Sequence, residues 1–390
     1  MAETLYPDDA PAHLADRRLI LRSLLGGACL LGARAALVTA GEGRGPAVGE
    51  DPRLGVAPAK YFRALDQLRV ECTLCPRACR VADLERGYCG VRENRGGRYV
   101  TLVHSRPAAL HTDPIEKKPL FHYLPGSSAL SLGTAGCNME CRFCQNWRMA
   151  QFRPEQVESR SLGPGDLVRL AARENSSSIA FTYSEPVVFF EYMLDTAVRA
   201  RKDGLGSVMI SNGYINQEPL LELVKSLSAV KIDLKAFSDR FYREMCSGKL
   251  EPVLETLKTL GRSGIWFEIV VLILPTENDS RDELLRMCRW ISANLGPDVP
   301  VHFTRFQPMY KVRNLPATPV STLEMAHAVA RQCGLHFPYV GNVPGHAAES
   351  TFCPGCAKRV IHRVGFRILE KLMDGGTCSG CGRPLPGVWT

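Results

Sequence analysis

GTAGCNMECRFCQNW, residues 133–147, packs Cys137, Cys141 and Cys144 into eight positions directly behind a short β-like run, ALSLGT (129–134). A tetrahedral zinc site, or a cluster that only carries electrons, is closed by four protein ligands. Three thiolates leave one metal position open to a small molecule. The trio therefore points to a metal group with chemistry of its own, the other reading being a zinc site that borrows a ligand from elsewhere.

The run ahead of the trio also sets the fold, because a strand followed by a loop and a helix recurs along the chain. The expected strands are 129–134, SIAFTYS (178–184), SVMISNG (207–213), AVKIDLKA (229–236), FEIVVLIL (267–274) and VHFTRFQ (301–307). Helical stretches alternate with them at 186–204, 218–227, 251–264 and 280–296, several ending at Gly. Such alternation predicts an α/β fold with a parallel sheet covered by helices, either an open wound sheet or one curling toward a barrel. Gln145, Glu185, Asn212, Lys235 and Gln307 fall at or just past strand ends, where parallel α/β folds place their active sites.

The chain's 390 residues and 45% apolar content are enough for one large core, which excludes disordered and fibrous classes. The formal charge of +8 is scattered and forms no long basic run, so no nucleic-acid partner is expected. Of 15 cysteines, 11 fall into three groups. A chain with its own core does not need a disulfide framework, so the groups read as metal ligands. Cys72, Cys75, Cys79 and Cys89 form a C-x2-C-x3-C-x9-C set that fits zinc or a second iron–sulfur cluster. Cys353, Cys356, Cys378 and Cys381 form two CxxC knuckles with a 21-residue spacer, the pattern of a zinc ribbon. Cys29, Cys246, Cys288 and Cys333 stand alone and read as small buried apolar residues.

C-x3-C-x2-C on a loop after a strand, with Phe143 before the last cysteine, resembles the radical S-adenosylmethionine superfamily. The resemblance implies a [4Fe–4S] cluster on Cys137, Cys141 and Cys144 and a partial (β/α)6 barrel. It also implies S-adenosylmethionine on the open iron, split after reduction into methionine and a 5′-deoxyadenosyl radical that abstracts hydrogen from a protein or small molecule. TYSEP (182–186) would place Glu185 at the methionyl amine. SNGY (211–214) and KIDLKAF (231–237) resemble segments of glycyl-radical activating enzymes, which sets Ser211, Asn212, Asp233 and Lys235 beside the cofactor, Lys235 toward its carboxylate and Asn212 toward the ribose. Phe143 is expected in the same cofactor site. Those enzymes carry an acid where Ile210 stands here.

CTLCPRAC, RGYCGVREN, DPIEKKPLFHYLPGS, YVGNVPG and CSGCGRPLPGVW, taken in order with the cysteine loop, look like the radical enzyme of the AmmeMemoRadiSam system. That likeness runs from about Cys72 to Trp389 and implies Memo-type and AMMECR-type partners and a low-potential donor of ferredoxin or flavodoxin type. Glu116, Lys117, Lys118, His122 and Tyr123 are candidates for the mouth of the site, with a packed loop as the alternative. His302 and Arg305 are three apart in one strand, so at most one looks inward, and Arg305 is the favoured one.

Arg17 and Arg18 precede an apolar run of signal-peptide length, which resembles a twin-arginine signal, followed by a Gly/Pro/Ala-rich linker. That run is too short to span a membrane, and no transmembrane segment is expected. A cytoplasmic location is favoured, with twin-arginine export as the alternative. The expected parts are a signal-and-linker segment (1–60), a four-cysteine module (61–125), a radical S-adenosylmethionine core (126–340) and a zinc-ribbon-like module (341–390). Two further functions stay open: a glycyl-radical activase, and a non-catalytic zinc or iron–sulfur scaffold, which has no use for polar residues at strand ends.

Overall fold

The computed structural model describes residues 51–390. The twin-arginine-like segment and Cys29 lie outside the described residues. The first strands are short: Ala57–Pro58 (β1), Phe62–Ala64 (β2), Val70–Cys72 (β3), Arg80–Val81 (β4), Arg92–Arg95 (β5) and Arg98–Thr101 (β6). They form two small antiparallel sheets, ordered β2-β3-β4 and β1-β6-β5.

The central sheet comprises Ala109–Pro114 (β7), Ser128–Gly133 (β8), Ser178–Phe181 (β9), Gly206–Ser211 (β10), Ala229–Asp233 (β11), Trp266–Ile273 (β12), Val301–Arg305 (β13) and Pro338–Gly341 (β14). Its spatial order is β14-β13-β12-β11-β10-β9-β8-β7. The strands from β8 to β14 are parallel neighbours in chain order, and β7 runs antiparallel against β8. A sheet wound in one direction, with no pairing between its two edge strands, is a partial barrel. Burial explains the composition: β9 is buried at all four positions and β12 at nearly every one, as a parallel strand covered on both faces must be.

The helices are Trp147–Ala150 (α1), Pro164–Arg173 (α2), Phe190–Lys202 (α3), Gln217–Leu223 (α4), Asp239–Cys246 (α5), Leu250–Ser263 (α6), Arg281–Leu295 (α7) and Val320–Gln332 (α8). Ser238 and Ser280 cap α5 and α7 by accepting from the Phe241 and Glu283 amides, and α6 stops at Gly264 with φ +77°. The six expected strands all form. The sheet also recruits β14 and β7, which carry the Pro and Gly residues that conceal a strand in sequence. None of the helices of the described residues is long and apolar enough to cross a membrane.

The two flanking segments close on different parts of this sheet. The amino-terminal one is tied to α3 by buried Arg92, whose Nη1 and Nη2 donate to Glu191 at 3.0 and 2.8 Å. The carboxy-terminal one seals the end of the sheet where the strands begin. There Glu268, fully buried on β12, accepts from the Phe121 and His122 amides (3.0 and 2.7 Å), Trp266 Nε1 (3.1 Å) and His302 Nε2 (2.7 Å). Arg363 donates to the Phe121 carbonyl and Thr351 Oγ1, both at 2.7 Å, and faces Glu116 at 3.8 Å.

This arrangement corrects two expectations. Glu116, His122 and Tyr123 do not reach the mouth of the strand-end face: the 115–123 turn is pulled to the opposite end by Glu268, Arg363 and the Val388 backbone. His302, not Arg305, shares the Glu268 and Lys231 side of the sheet, and Arg305 instead donates to the Thr318 carbonyl at 2.9 Å. Strand parity admits only one of the two, and the inward residue is the one with a buried acid to meet.

Because buried Glu268 satisfies four donors at once, Glu268→Leu should destabilise the fold by about 3–5 kcal/mol. Glu268→Gln, which keeps acceptor capacity, should cost roughly 1–3 kcal/mol. Urea unfolding midpoints of the two variants against the native chain check this ordering.

Candidate functional site

The three-cysteine loop leaves β8 and is fixed from three sides. Gly133 lies so near the Thr182 carbonyl that a Cβ would stand 2.5 Å from it. Gly136, at φ +96°, leaves no room either, since a Cβ would meet the Cys89 carbonyl at 2.8 Å and Val91 at 2.6 Å. From α5, the Cys246 and Met245 carbonyls accept from the Glu140 and Arg142 amides at 3.0 and 2.8 Å. Phe143 is buried and packs its ring on Phe241, 5.8 Å between centroids, so it fastens the loop to α5. Cys141 is buried, Cys137 and Cys144 are partly exposed, and the Met139 amide points at Cys137 Sγ (3.4 Å).

Glu185 ends the segment after β9. Its carboxylate accepts from Ser211 Oγ (2.6 Å), the Asn212 amide (2.8 Å) and the Val187 amide (3.1 Å). Burial pushes its pKa up to about 7 even though all three donors favour the ionised form. Asn212 turns back toward the cysteines: its Nδ2 donates to Asn138 Oδ1 at 2.9 Å and lies 3.9 Å from Cys137 Sγ. Glu185, Ser211 and Asn212 thus join the ends of β9 and β10 to the loop after β8.

Lys231 and Asp233 on β11, and Lys235 just past its end, alternate onto one side. Asp233 bonds Lys235 Nζ at 2.9 Å and also pairs with Lys231. Burial alone would raise the Asp233 pKa, but the two ammonium groups outweigh it and hold the acid at about 2. Lys235 is itself mostly buried, and Asp233 with the Cys141 and Cys246 thiols keeps its pKa well above the usual lysine range despite burial. A second ionic group lies inside the sheet: Asp113 accepts from Lys117 (2.8 Å), Lys118 (2.6 Å) and Tyr183 OH (2.9 Å). Burial, partly offset by Asp113, brings Lys118 down to about 8.

The predicted residues Cys137, Cys141, Cys144, Glu185, Ser211, Asn212, Asp233 and Lys235 therefore assemble on one strand-end face. Lys231 joins them without having been expected, although its i, i+2, i+4 relation to Asp233 and Lys235 is visible in the sequence. Cys246 reads as an isolated cysteine, yet its carbonyl pins the cysteine loop. Asp113 leaves no sequence signal, because its partners come from separate segments.

The four carboxy-terminal cysteines sit in the module that seals the other end of the sheet. Their ligand atoms all lie within 4.8 Å of one another, with Cys353–Cys381 and Cys356–Cys378 sulfur separations of 3.6 and 3.7 Å. Tetrahedral Zn–S bonds of about 2.3 Å put sulfurs about 3.8 Å apart, so this donor set fits one zinc ion.

A profile of the radical SAM superfamily matches residues 131–288, which contain the cysteine loop, Glu185, Asn212 and Lys235. The uncharacterized protein MJ0808 of Methanocaldococcus jannaschii is 43% identical over 329 residues, covering 84% of this chain and 98% of that protein. A second uncharacterized protein of the same organism, MJ0674, is 24% identical over 63% of this chain and 68% of its own length. Among solved structures, a domain of a pyruvate-formate lyase-activating enzyme from Bacteroides vulgatus aligns over 43% of this chain and all of its own, at 12% identity and a TM-score of 0.39. A radical SAM methyltransferase from Sphaerobacter thermophilus covers 58% of this chain and 71% of its own, at 14% identity and a TM-score of 0.44. The chain carries a radical SAM domain and belongs, with the Methanocaldococcus protein MJ0808, to one family of that superfamily.

Proposed function

We propose that this protein is a radical SAM enzyme in which Cys137, Cys141 and Cys144 hold three corners of a [4Fe–4S] cluster, and Glu185, Ser211, Asn212, Asp233 and Lys235 form the bed for S-adenosylmethionine. The observation that carries this reading is the buried Glu185 carboxylate, oriented by three donors and joined through Asn212 to Asn138, the residue after Cys137. When bound and reduced, the cluster supplies the electron that splits the sulfonium into methionine and a 5′-deoxyadenosyl radical. The chain's own part is to hold the ligand. Glu185 offers negative charge to its amine, Lys235 offers positive charge to its carboxylate, and the Gly136 and Phe143 contacts keep the thiolates from spreading.

A scaffold without catalysis is disfavoured by the same groups, since it has no use for Glu185, Asn212 and Lys235 gathered beside the cysteine loop at the strand ends. For the substrate, the ionic group of Asp113, Lys118 and Tyr183 inside the sheet favours a polar molecule or peptide segment. The glycyl-radical activase version rests on the likeness of the SNGY and DLK segments. Memo-type and AMMECR-type partners rest on the long motif succession, and a cytoplasmic location on the supply of S-adenosylmethionine and reductant. The electron donor is inferred to be a low-potential ferredoxin or flavodoxin.

Anaerobic reconstitution followed by reductant and S-adenosylmethionine should give 5′-deoxyadenosine by mass spectrometry, and Cys141→Ala should give none. Absence of product from native protein with a reduced cluster, across a panel of polar and peptide substrates, would count against the reading. Glu185→Gln should retain cluster absorbance but weaken S-adenosylmethionine binding by roughly 10-fold to 100-fold. In the native chain that affinity should rise between pH 6 and pH 8, as Glu185 ionises through its pKa of about 7. Calorimetry should show the rise flattened in the glutamine variant.

We also infer that Cys353, Cys356, Cys378 and Cys381 hold a structural zinc ion. Cys378→Ser/Cys381→Ser should remove one zinc per chain by elemental analysis and lower the melting temperature, while the iron content stays unchanged.

A further inference from the structure

The amino-terminal cysteines differ from the carboxy-terminal quartet in a way that decides what they bind. Cys72, Cys75, Cys79 and Cys89 all line one small cavity, shared with Arg92 and Asn138. Among the described residues, the group of three or more candidate ligands drawn within 4.8 Å is the carboxy-terminal one. Four thiolates that ring a space without converging suit a four-iron cube, whose corner ligands stand farther apart than those of a single tetrahedral ion.

The cavity wall carries a second pointer to a ligand. Arg92 is almost wholly buried; its Nη atoms bond Glu191 and the Lys60 carbonyl, but Nε has no partner. A buried guanidinium N–H left unpaired is costly unless something in the cavity accepts from it, and the sulfur of a bound cluster would do so. The Tyr88 amide already points at Cys79 Sγ, 3.5 Å away.

Position gives the site its role. Asn138 lines this cavity, follows Cys137 directly, and accepts from Asn212 at 2.9 Å. Arg77, between Cys75 and Cys79, donates to the Asn138 carbonyl at 2.7 Å. One residue thus touches both thiolate sites. Cys79 and Tyr88 on the outer side reach solvent.

We propose that Cys72, Cys75, Cys79 and Cys89 hold a second [4Fe–4S] cluster, closed by four protein ligands, that relays single electrons to the cluster at Cys137, Cys141 and Cys144. A one-electron donor of the ferredoxin or flavodoxin class is oxidised and this cluster goes from the 2+ to the 1+ state. It then returns to 2+ as the electron moves inward, and no bond or proton is exchanged. The relay rests on the function proposed above, whereas the presence of the cluster does not.

The test begins with Cys137→Ala/Cys141→Ala/Cys144→Ala, reconstituted anaerobically as the full chain. It should keep about four iron and four sulfide per chain. Its reduced electron paramagnetic resonance signal should not respond to S-adenosylmethionine, because no iron is open. Zinc bound in place of iron, a metal-free site in a chain that melts cooperatively, or a signal that shifts with S-adenosylmethionine would each overturn the proposal. In Cys72→Ser/Cys75→Ser the remaining cluster should be reduced by a flavodoxin at least about tenfold more slowly than in the native chain. An equal rate overturns the relay. A triple-alanine chain that keeps its iron while native protein makes no 5′-deoxyadenosine would sink the enzymatic reading and leave the second cluster standing.

Discussion

The Glu185 carboxylate is the joint on which the strand-end face depends. It is buried where a lone charge is expensive, and three donors from two segments make that burial tolerable. In return it fixes the relative position of the chain after β9 and the SNGY turn after β10. Through the Asn212 amide group that order extends to Asn138 and so to the first cysteine. Without this acceptor, the Ser211 hydroxyl and two backbone amides would face one another unpaired, and the loop after β8 would lose the side of its cradle that faces the sheet.

The two ends of the sheet are stabilised by different means, and that division follows from what each must do. At the end where strands begin, Glu268 pairs with His302 and His122 with Tyr339, Tyr339 and Arg363 both meet Thr351, and aromatic rings shut the group in. These bonds run between segments far apart in sequence, so that end is tied together as a plug. At the other end Asp233 keeps part of its surface open between Lys231 and Lys235, and Cys137 and Cys144 are only partly covered. Charge there is left available to a ligand instead of being spent on packing.

Much of this architecture is legible in the amino-acid order alone. The six strand runs are strongly patterned, and the cysteine spacings are discrete signals that a helix or strand cannot blur. β7 and β14 escape such a reading because each carries a Pro and lacks a run of β-branched residues, and their strand character comes from pairing with a neighbour outside the segment itself. The plug is hidden for a similar reason. PIEKKPLFHY looks like a polar loop, but its place is decided by Glu268, 146 residues beyond His122, accepting two of its amides. Local pattern shows which residues can carry charge, while the identity of the partner is a property of the closed sheet.

Partners distant in sequence also explain why the amino-terminal cysteine module is welded to the core instead of hanging from it. Its Arg92 enters a bidentate pair with Glu191 of α3, and its Cys89 carbonyl and Val91 fill the space that Gly136 leaves empty. In the carboxy-terminal knuckles, by contrast, Cys356 and Cys381 are exposed. Contact through Gly136 demands a backbone that no other residue adopts cheaply, and contact through Asn138 places a single residue between two thiolate groups. Such closeness has a physical use when something must pass between the sites, and an electron is what thiolate-bound iron can pass without moving an atom of the chain.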